Sequence, residues 1–507
     1  MGTGRARRVT RAGRAGVALI ALALAACGWL LPERFAINAP ILHLVFGLGR
    51  DAPSPDALAR IEVPEGFAIG LFAEDVPNAR LLRFTGNGDL LVSSPRSGRV
   101  LLLLADADGD GRSDGQRTLL EGLDRPHGLD LRDDWLYVAE TDGVGRVRLD
   151  AAGRRTLGEF ERVLTGLPGG GNHYTRTLRF GPDGWMYVSI GSSCNVCEES
   201  DPLRATIVRA QPDGSELQIF ATGLRNAVGF DWQPETGALY ATDNGRDLLG
   251  DDFPPCELNR IAQGGFYGWP YANGDRRPDP DLGPGHEDEA RRSIPPVHAF
   301  RAHNAPLGIR FLRDRRQPEG YRGAALVALH GSWNRTRKDG YRVVSLHWQP
   351  DGEVVERDFA VGFERDEQVI GRPVDVIEGP DAAIYVSDDF AGAVYRIARS
   401  SAASAAAPKT PARPFRSDPL SGLGAHERAA ASERGLALYQ QHACASCHEP
   451  EHAAQGVVPI PLARLGSRYD LASLARYLAA PNPPMPTLGL SQAERRDLAV
   501  LLLQRHP

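Results

Sequence analysis

Methionine is nearly absent from this chain: three residues in 507, beside six cysteines and 7% aromatics. A basic excess is missing as well, because 64 acidic residues outweigh 58 Lys and Arg for a formal net charge of −6. Without a positive footprint, nucleic acid is excluded as the main partner. What abounds is glycine, at 56, and proline, at 38, which suits a turn-rich β fold rather than a helical one. Hydrophobic content of 42% and charged content of 24% are those of a soluble globular protein. Its length exceeds one ordinary core, so two or more domains are expected.

Long apolar runs are also lacking. The stretch from Val17 to Ala26 follows Arg5, Arg7, Arg8, Arg11 and Arg14 and is too short for a comfortable transmembrane helix. It reads as the h-region of an export signal, residues 1–26. Leu24-Ala25-Ala26-Cys27 has the form of a bacterial lipobox, which would make Cys27 the lipidated N-terminus. The competing reading is an uncleaved anchor prolonged by Trp29, Leu30 and Leu31. Both place the body outside the cytoplasm, in the periplasm, with 27–58 as a membrane-proximal segment. Disulfides are permitted there.

Cys444-Ala445-Ser446-Cys447-His448 is a C-x-x-C-H motif, the attachment signature of a c-type haem. Two thioethers hold the porphyrin and the adjacent imidazole ligates iron. A zinc site would need further Cys or His ligands, and this region has no other Cys and only poorly placed His. The scarcity of methionine then names the second axial ligand. Met186 lies in a strand-like segment far away, whereas Met485 sits in the proline-stiffened loop 481–486. His448/Met485 ligation suits electron transfer. Helices are expected from Ala429 to His442, after Asp470, and after the capping box Ser491-Gln492-Ala493-Glu494. The region 418–507 resembles a small class I cytochrome c.

Between 59 and 398 one unit recurs: a turn, a short apolar strand, a polar loop, a second strand. Its first strands are Leu90-Leu91-Val92, Trp135-Leu136-Tyr137-Val138, Trp185-Met186-Tyr187-Val188, Leu239-Tyr240-Ala241, Leu326-Val327-Ala328 and Ile384-Tyr385-Val386. Six such units read as a mainly β, six-bladed propeller. Residues 399–417, rich in Ala, Ser and Pro, read as a linker to the small all-α domain. Asp106-Ala107-Asp108-Gly109-Asp110-Gly111-Arg112-Ser113-Asp114 stands where a hairpin turns, either a calcium loop or a solvated acidic turn. Arg117 occupies the place of an EF-hand's bidentate glutamate, which argues against that motif.

Asn172-His173-Tyr174, Gly181-Pro182-Asp183-Gly184, Gly223-Leu224-Arg225-Asn226, Asp243-Asn244-Gly245, Glu257-Leu258-Asn259 and Gly264-Gly265-Phe266-Tyr267-Gly268-Trp269-Pro270 resemble, in that order, the glucose/sorbosone dehydrogenase family. The resemblance implies a periplasmic propeller that uses pyrroloquinoline quinone (PQQ) and Ca²⁺ to oxidise sugars and sugar-like alcohols or aldehydes. It implies that His173 is the general base and that Arg225 stabilises the reduced quinone. Asn226, Arg372 and, more weakly, Arg335 would contact the cofactor. The carbonyls of Gly245 and Arg246 would hold the catalytic Ca²⁺, and Glu257 with the Tyr267 carbonyl a second one. Asn172 stands where the glucose enzymes have Asp, Arg246 replaces a proline, and Val374 replaces an arginine. These departures favour the sorbosone-like branch. The same alignment puts Cys194-Asn195-Val196-Cys197 in a loop beside the quinone. A Cys194–Cys197 bond lining the pocket is therefore expected, against a merely stiffening bridge or a pairing with Cys256.

Two functions compete. One is a dehydrogenase fused to its own electron acceptor, passing electrons onward to a downstream cytochrome or oxidase. The other is a non-catalytic or calcium-dependent hydrolytic propeller that travels with a cytochrome. Hydrolysis has no use for an electron exit, so the haem motif favours the first.

Overall fold

The computed structural model describes residues 58–400, Asn38, and, further on, chiefly 423–449, 471–479 and 488–506, with isolated positions that include Leu420, Leu465 and Met485. The export signal, Cys27 and the 401–417 part of the linker lie outside the described residues. The chain forms two compact units that divide between Ala403 and Ser404.

Six blade sheets make up the first unit: five are four-stranded and antiparallel, and the third blade adds Gly265–Phe266 as a fifth strand parallel to Gln218–Thr222. The second strands of five blades are Leu90–Ser94, Met186–Ile190, Leu239–Asp243, Ala325–Leu329 and Ile384–Asp388, and every residue in them is buried. Strands covered on both faces by neighbouring blades show no polar alternation, and each of these begins with at least three consecutive apolar residues, which explains why they stand out in the sequence. Edge-to-face ring pairs knit successive blades: Tyr137 to Phe180 at 4.8 Å, Tyr187 to Trp232 at 5.2 Å, and Tyr385 to Phe84 at 5.0 Å. Each such pair contributes about 0.5–1.5 kcal/mol beyond its buried area. The ring closes in a way the repeat did not announce. Phe67–Ala73, from before the first unit, supplies the outer strand of the sixth blade by pairing with Ala393–Arg399.

Strand direction decides where chemistry can gather. In each blade the chain enters the innermost strand and leaves the second strand on the same face. Innermost strands begin at Leu82, Leu129, Leu178, Ala227, Pro306 and Pro373. The segments just before them carry Arg80, His127, His173–Arg176, Arg225, His303–Asn304 and Arg372. Just after the second strands stand Ser192, Asn244, His330 and Asp389. Three innermost strands are bulged at that end, at Ala227/Phe230, Pro306/Ile309 and Pro373/Val376. Such bulges commonly re-aim side chains beside functional sites.

The second unit packs Ala425–Gln441 against Gln492–Arg505, with Leu471–Tyr477 on the same core. Gly435 allows the crossing, because a Cβ there would meet the Asp497 carbonyl oxygen at 2.4 Å. The capping box expected at Ser491 and Glu494 is present. Helix Ala445–His448 contains most of the C-x-x-C-H motif, and half-buried Cys444 and Met485 pack against one apolar cluster. No helix among the described residues is long and apolar enough to cross a membrane.

Candidate active site

His173 arrives on a loop that needs its glycines. Gly171 has φ +89°, and a Cβ on it would lie 2.5 Å from the Ser193 carbonyl oxygen. Gly191 sits behind the imidazole, where a Cβ would meet His173 Cβ at 2.6 Å and Asn226 Oδ1 at 2.7 Å. Thus His173, Asn226 and the end of a second strand converge within one side-chain diameter. Two buried arginines clamp this loop from behind. Arg176 donates to the carbonyls of His173 and Thr175, each at 2.9 Å, and Arg204 donates to the carbonyls of Gly170 and Gly191.

The imidazole is oriented through its Nδ1, which lies 2.9 Å from both the carbonyl and the hydroxyl of Ser192. The Ser192 hydroxyl in turn donates to the Cys194 carbonyl at 2.7 Å. Facing a carbonyl, Nδ1 carries the proton, which leaves Nε2 as an acceptor. Burial first, then the charges of Arg225, Arg204 and Arg176, push His173 down to about 3. The ring is therefore neutral at pH 7. An anion bound nearby would offset those charges and make it a stronger base.

Arg225 is buried, and every N–H of its guanidinium is committed. It donates to Asn195 O and Oδ1, to Gly245 O and to Asp247 Oδ2, each at 2.9 Å, and to Asn244 O at 3.2 Å. With no free hydrogen, the group can act on a neighbouring anion only as fixed positive charge, the role that the family resemblance implies for it. The backbone N–H groups of Arg225 and Asn226 donate to the Asp243 carboxylate.

Cys194 and Cys197 are bonded, with Cα atoms 6.2 Å apart, and Cys256 is a free, buried thiol pushed up to about 11 by burial. Pairing of either cysteine with Cys256 is thereby ruled out. The bridged loop lies between the two functional side chains, joined to His173 through Ser192 and to Arg225 through Asn195.

A second cluster joins the fifth, sixth and first blades. Asp389 accepts from Arg80 Nη1 and from His330 Nε2, each at 2.9 Å. Arg372 donates to the carbonyls of His330 at 3.2 Å and Gly331 at 3.1 Å. Burial and then Arg372 push His330 down to about 3, so it too is neutral. Arg335, in contrast, is bound into a loop by Asp251 and Ala302 carbonyls and by Asp252. The Arg246 side chain turns away from the site to Asp279 and Asp281.

Two metal positions can be placed against geometry. Asp243 and Glu257 face one another across adjacent strands, both buried, and burial raises both carboxyls, with Glu257 raising Asp243 further. Such a pair shares a proton or takes a cation. Tyr267 is buried on a short strand extension, its hydroxyl donating to the Arg260 carbonyl. Asp106, Asp108 and Asp114 also approach one another, but Asp106 already accepts from the N–H groups of Gly109 and Gly111.

Several buried polar atoms on this face have no partner among the described residues: His127 Nε2, Asn244 Oδ1, His303 Nδ1, and both amide atoms of Asn304 and Asn334. An unmet buried donor or acceptor costs roughly 1–3 kcal/mol, so a polar ligand or ordered water belongs there. Sequence reasoning missed Ser192, Arg176, Arg204 and Asn304, because each acts through backbone or through an absent ligand.

The structure is thus a six-bladed propeller whose polar residues converge on one end of its axis. The glucose/sorbosone dehydrogenase family model matches residues 136–396, more than half the chain, and the chain belongs to that family. It is 28% identical over 355 residues to an uncharacterised protein of Borreliella burgdorferi, covering 66% of this chain and 90% of that one. Over 318 residues it is 24% identical to the aldose sugar dehydrogenase YliI of Escherichia coli, covering 56% and 77%. The holo form of the pyranose dehydrogenase PQQ domain from Coprinopsis cinerea shares the fold, with TM-score 0.57 and 21% identity over 67% of this chain and 97% of that one.

Proposed function

We propose that this chain is an extracytoplasmic quinoprotein dehydrogenase that oxidises a sugar or sugar-derived alcohol or aldehyde and delivers the electrons to its own haem c. The observation that carries the reading is the neutral His173, held through Nδ1 by Ser192 with Nε2 left as acceptor, beside the buried charge of Arg225. The names of the Coprinopsis domain and the Escherichia coli relative support PQQ and an aldose-like substrate.

The residues fit PQQ, a planar tricarboxylate. Arg80 and Arg372 would meet its carboxylates, while Asn226, Asn244, Asn304 and Asn334 offer polar contacts, several of them unpartnered at present. Bound PQQ supplies a two-electron hydride acceptor. Nε2 of His173 takes the substrate hydroxyl proton, and Ser192 steadies the resulting imidazolium through Nδ1. Because Asn172 replaces the family's aspartate, that steadying comes from neutral oxygens, and the charge is balanced by the bound anion instead. The Cys194–Cys197 bridge lines the cofactor pocket and fixes the loop that aligns base and guanidinium. Gly245 and Arg246 carbonyls would hold one Ca²⁺, and Glu257, Asp243 and the Tyr267 carbonyl a second. Cys444, Cys447, His448 and Met485 would bind the haem, a one-electron carrier. A lipidated Cys27 would tether the whole outside the cytoplasm.

Reconstitution with PQQ and Ca²⁺, followed by a screen of aldoses, polyols and aldehydes while the haem absorption is watched, tests this directly. Haem reduction that needs substrate, quinone and Ca²⁺ together is expected. Substrate turnover without PQQ, or release of a hydrolysis product instead, would favour the hydrolytic reading.

A further inference from the structure

At the opposite end of the propeller axis the innermost strands form a ring of alternating charge. Arg83, Asp130, Arg179, Asp231 and Arg310 occupy the same register position in the first five blades, each one residue beyond a buried Leu, Phe or Ile. The sixth seat is taken by Ile377 rather than an acid. The alternation is thus broken between Arg310 and Arg83, and one positive charge is left over.

The ring lines a cavity of about 400 Å³ together with Arg313. Its carboxylates are already spoken for. Arg313 grips Asp231 through two hydrogen bonds of 2.9 Å, and Arg83 pairs with Asp130 at 2.8 Å. Arg179 and Arg310, each only 7% exposed, make no side-chain hydrogen bond among the described residues. Their nearest carboxylate is the same Asp231, at 4.0 and 3.8 Å. Nε and Nη2 of Arg310 are buried with no partner among the described residues. Asp375, one pleat along the axis, adds a third carboxylate, but its Oδ2 accepts from Leu82 N and burial raises its pKa. Four guanidinium groups still outnumber the acids.

A buried guanidinium without hydrogen bonds is costly, and a pair sharing one spent carboxylate is costlier. Burial and then Arg179 push Arg310 down to about 9, which records that mutual repulsion. The counterpart that satisfies planar, fork-shaped donors is an oxyanion with several acceptors. We propose that this axial mouth binds a small tetrahedral oxyanion, inorganic phosphate or sulfate, against the guanidinium groups of Arg179 and Arg310. The site lies at the far end of the axis from His173 and is independent of the dehydrogenase reading.

The test uses the full chain in melts with phosphate, with sulfate, and with chloride at equal ionic strength. Phosphate at about 100 times its Kd should raise Tm by roughly 2–4 °C, and sulfate should do the same. The Arg179→Gln, Arg310→Gln double variant should lose that rise while melting cooperatively. Broadening of the phosphate ³¹P signal by wild-type protein, relieved by sulfate, reads the same site without any variant. An equal Tm rise in the double variant, or a ³¹P line that wild-type protein leaves sharp, overturns the proposal.

Discussion

One methyl group at Gly191 tests whether the position of His173 matters as the geometry requires. In Gly191→Ala the new Cβ would fall 2.6 Å from His173 Cβ, where ordinary contact starts near 3.4 Å. The histidine must therefore retreat by roughly 0.8 Å, or Asn226 and the strand must give instead. Because Gly191 lies outside the left-handed region, the substitution carries no backbone strain of its own. Overpacking of this size costs roughly 1–3 kcal/mol of stability. A shift near 1 Å at a reacting group can cost about 100-fold in rate. The expected result is a folded protein that binds PQQ, melts a few degrees lower, and turns over about 100-fold more slowly. Gly70→Ala, at a position with open space around it, is the matched control. A folded Gly191→Ala protein with kcat within about two-fold of wild type would refute the argument that this packing positions the base.

His173→Ala should keep cofactor binding and lose roughly 10²–10⁴-fold in turnover; near-full activity would count against its role as base. Opening the bridge with Cys194→Ser and Cys197→Ser should weaken PQQ binding several-fold through the Asn195–Arg225 contacts, measured by quinone titration, whereas unchanged binding would reduce the bond to a loop stiffener. Stability should fall with acid: His173 and His330 are lowered to about 3 in the fold, by burial first and then by Arg225 and Arg372 respectively. Between about pH 6.5 and pH 3 the unfolded chain binds the extra protons, at about 1.4 kcal/mol per pH unit per histidine, so urea midpoints should drop over that window and His330→Gln should flatten the slope. In the second unit Gly435→Val should push apart the two long helices and abolish haem incorporation, while Met485→Ala should keep the thioethers and lose the sulfur-to-iron charge-transfer band; retention of that band would remove Met485 as ligand.

Much of this was legible before any coordinates. The apolar pentads at Leu90, Met186, Leu239 and Ile384 announce strands because strands sandwiched between blades have no solvent face to alternate toward. His173 and Arg225 were found by their neighbours in the chain, and Cys194–Cys197 by its spacing and an oxidising compartment. The closing strand Phe67–Ala73 was not found, since its partner lies more than 300 residues away and nothing local marks the pairing. Ser192, Arg176 and Arg204 were missed for a related reason. Arg176 and Arg204 bind main-chain atoms, and Ser192 meets the imidazole partly through its own carbonyl, contacts that leave no trace in side-chain identity. The saturation of Arg225 was equally hidden, because five acceptors from two separate loops meet only in the folded ring.

The pairing of Phe67 with Arg399 makes the propeller a loop drawn shut like a purse. Its two ends leave side by side, reinforced by Ser400 donating to the Gly66 carbonyl at 2.9 Å. Tension applied between the two ends of the propeller would reach that strand pair as soon as the single Glu62–Val361 bridge outside it had opened. The first four blades, with the His173 loop among them, would carry no load until the pair parted. Pulled by its ends, the molecule should therefore give first as a short unzipping of Phe67–Ala73 from Ala393–Arg399, and a force trace that began with loss of a different blade would show otherwise.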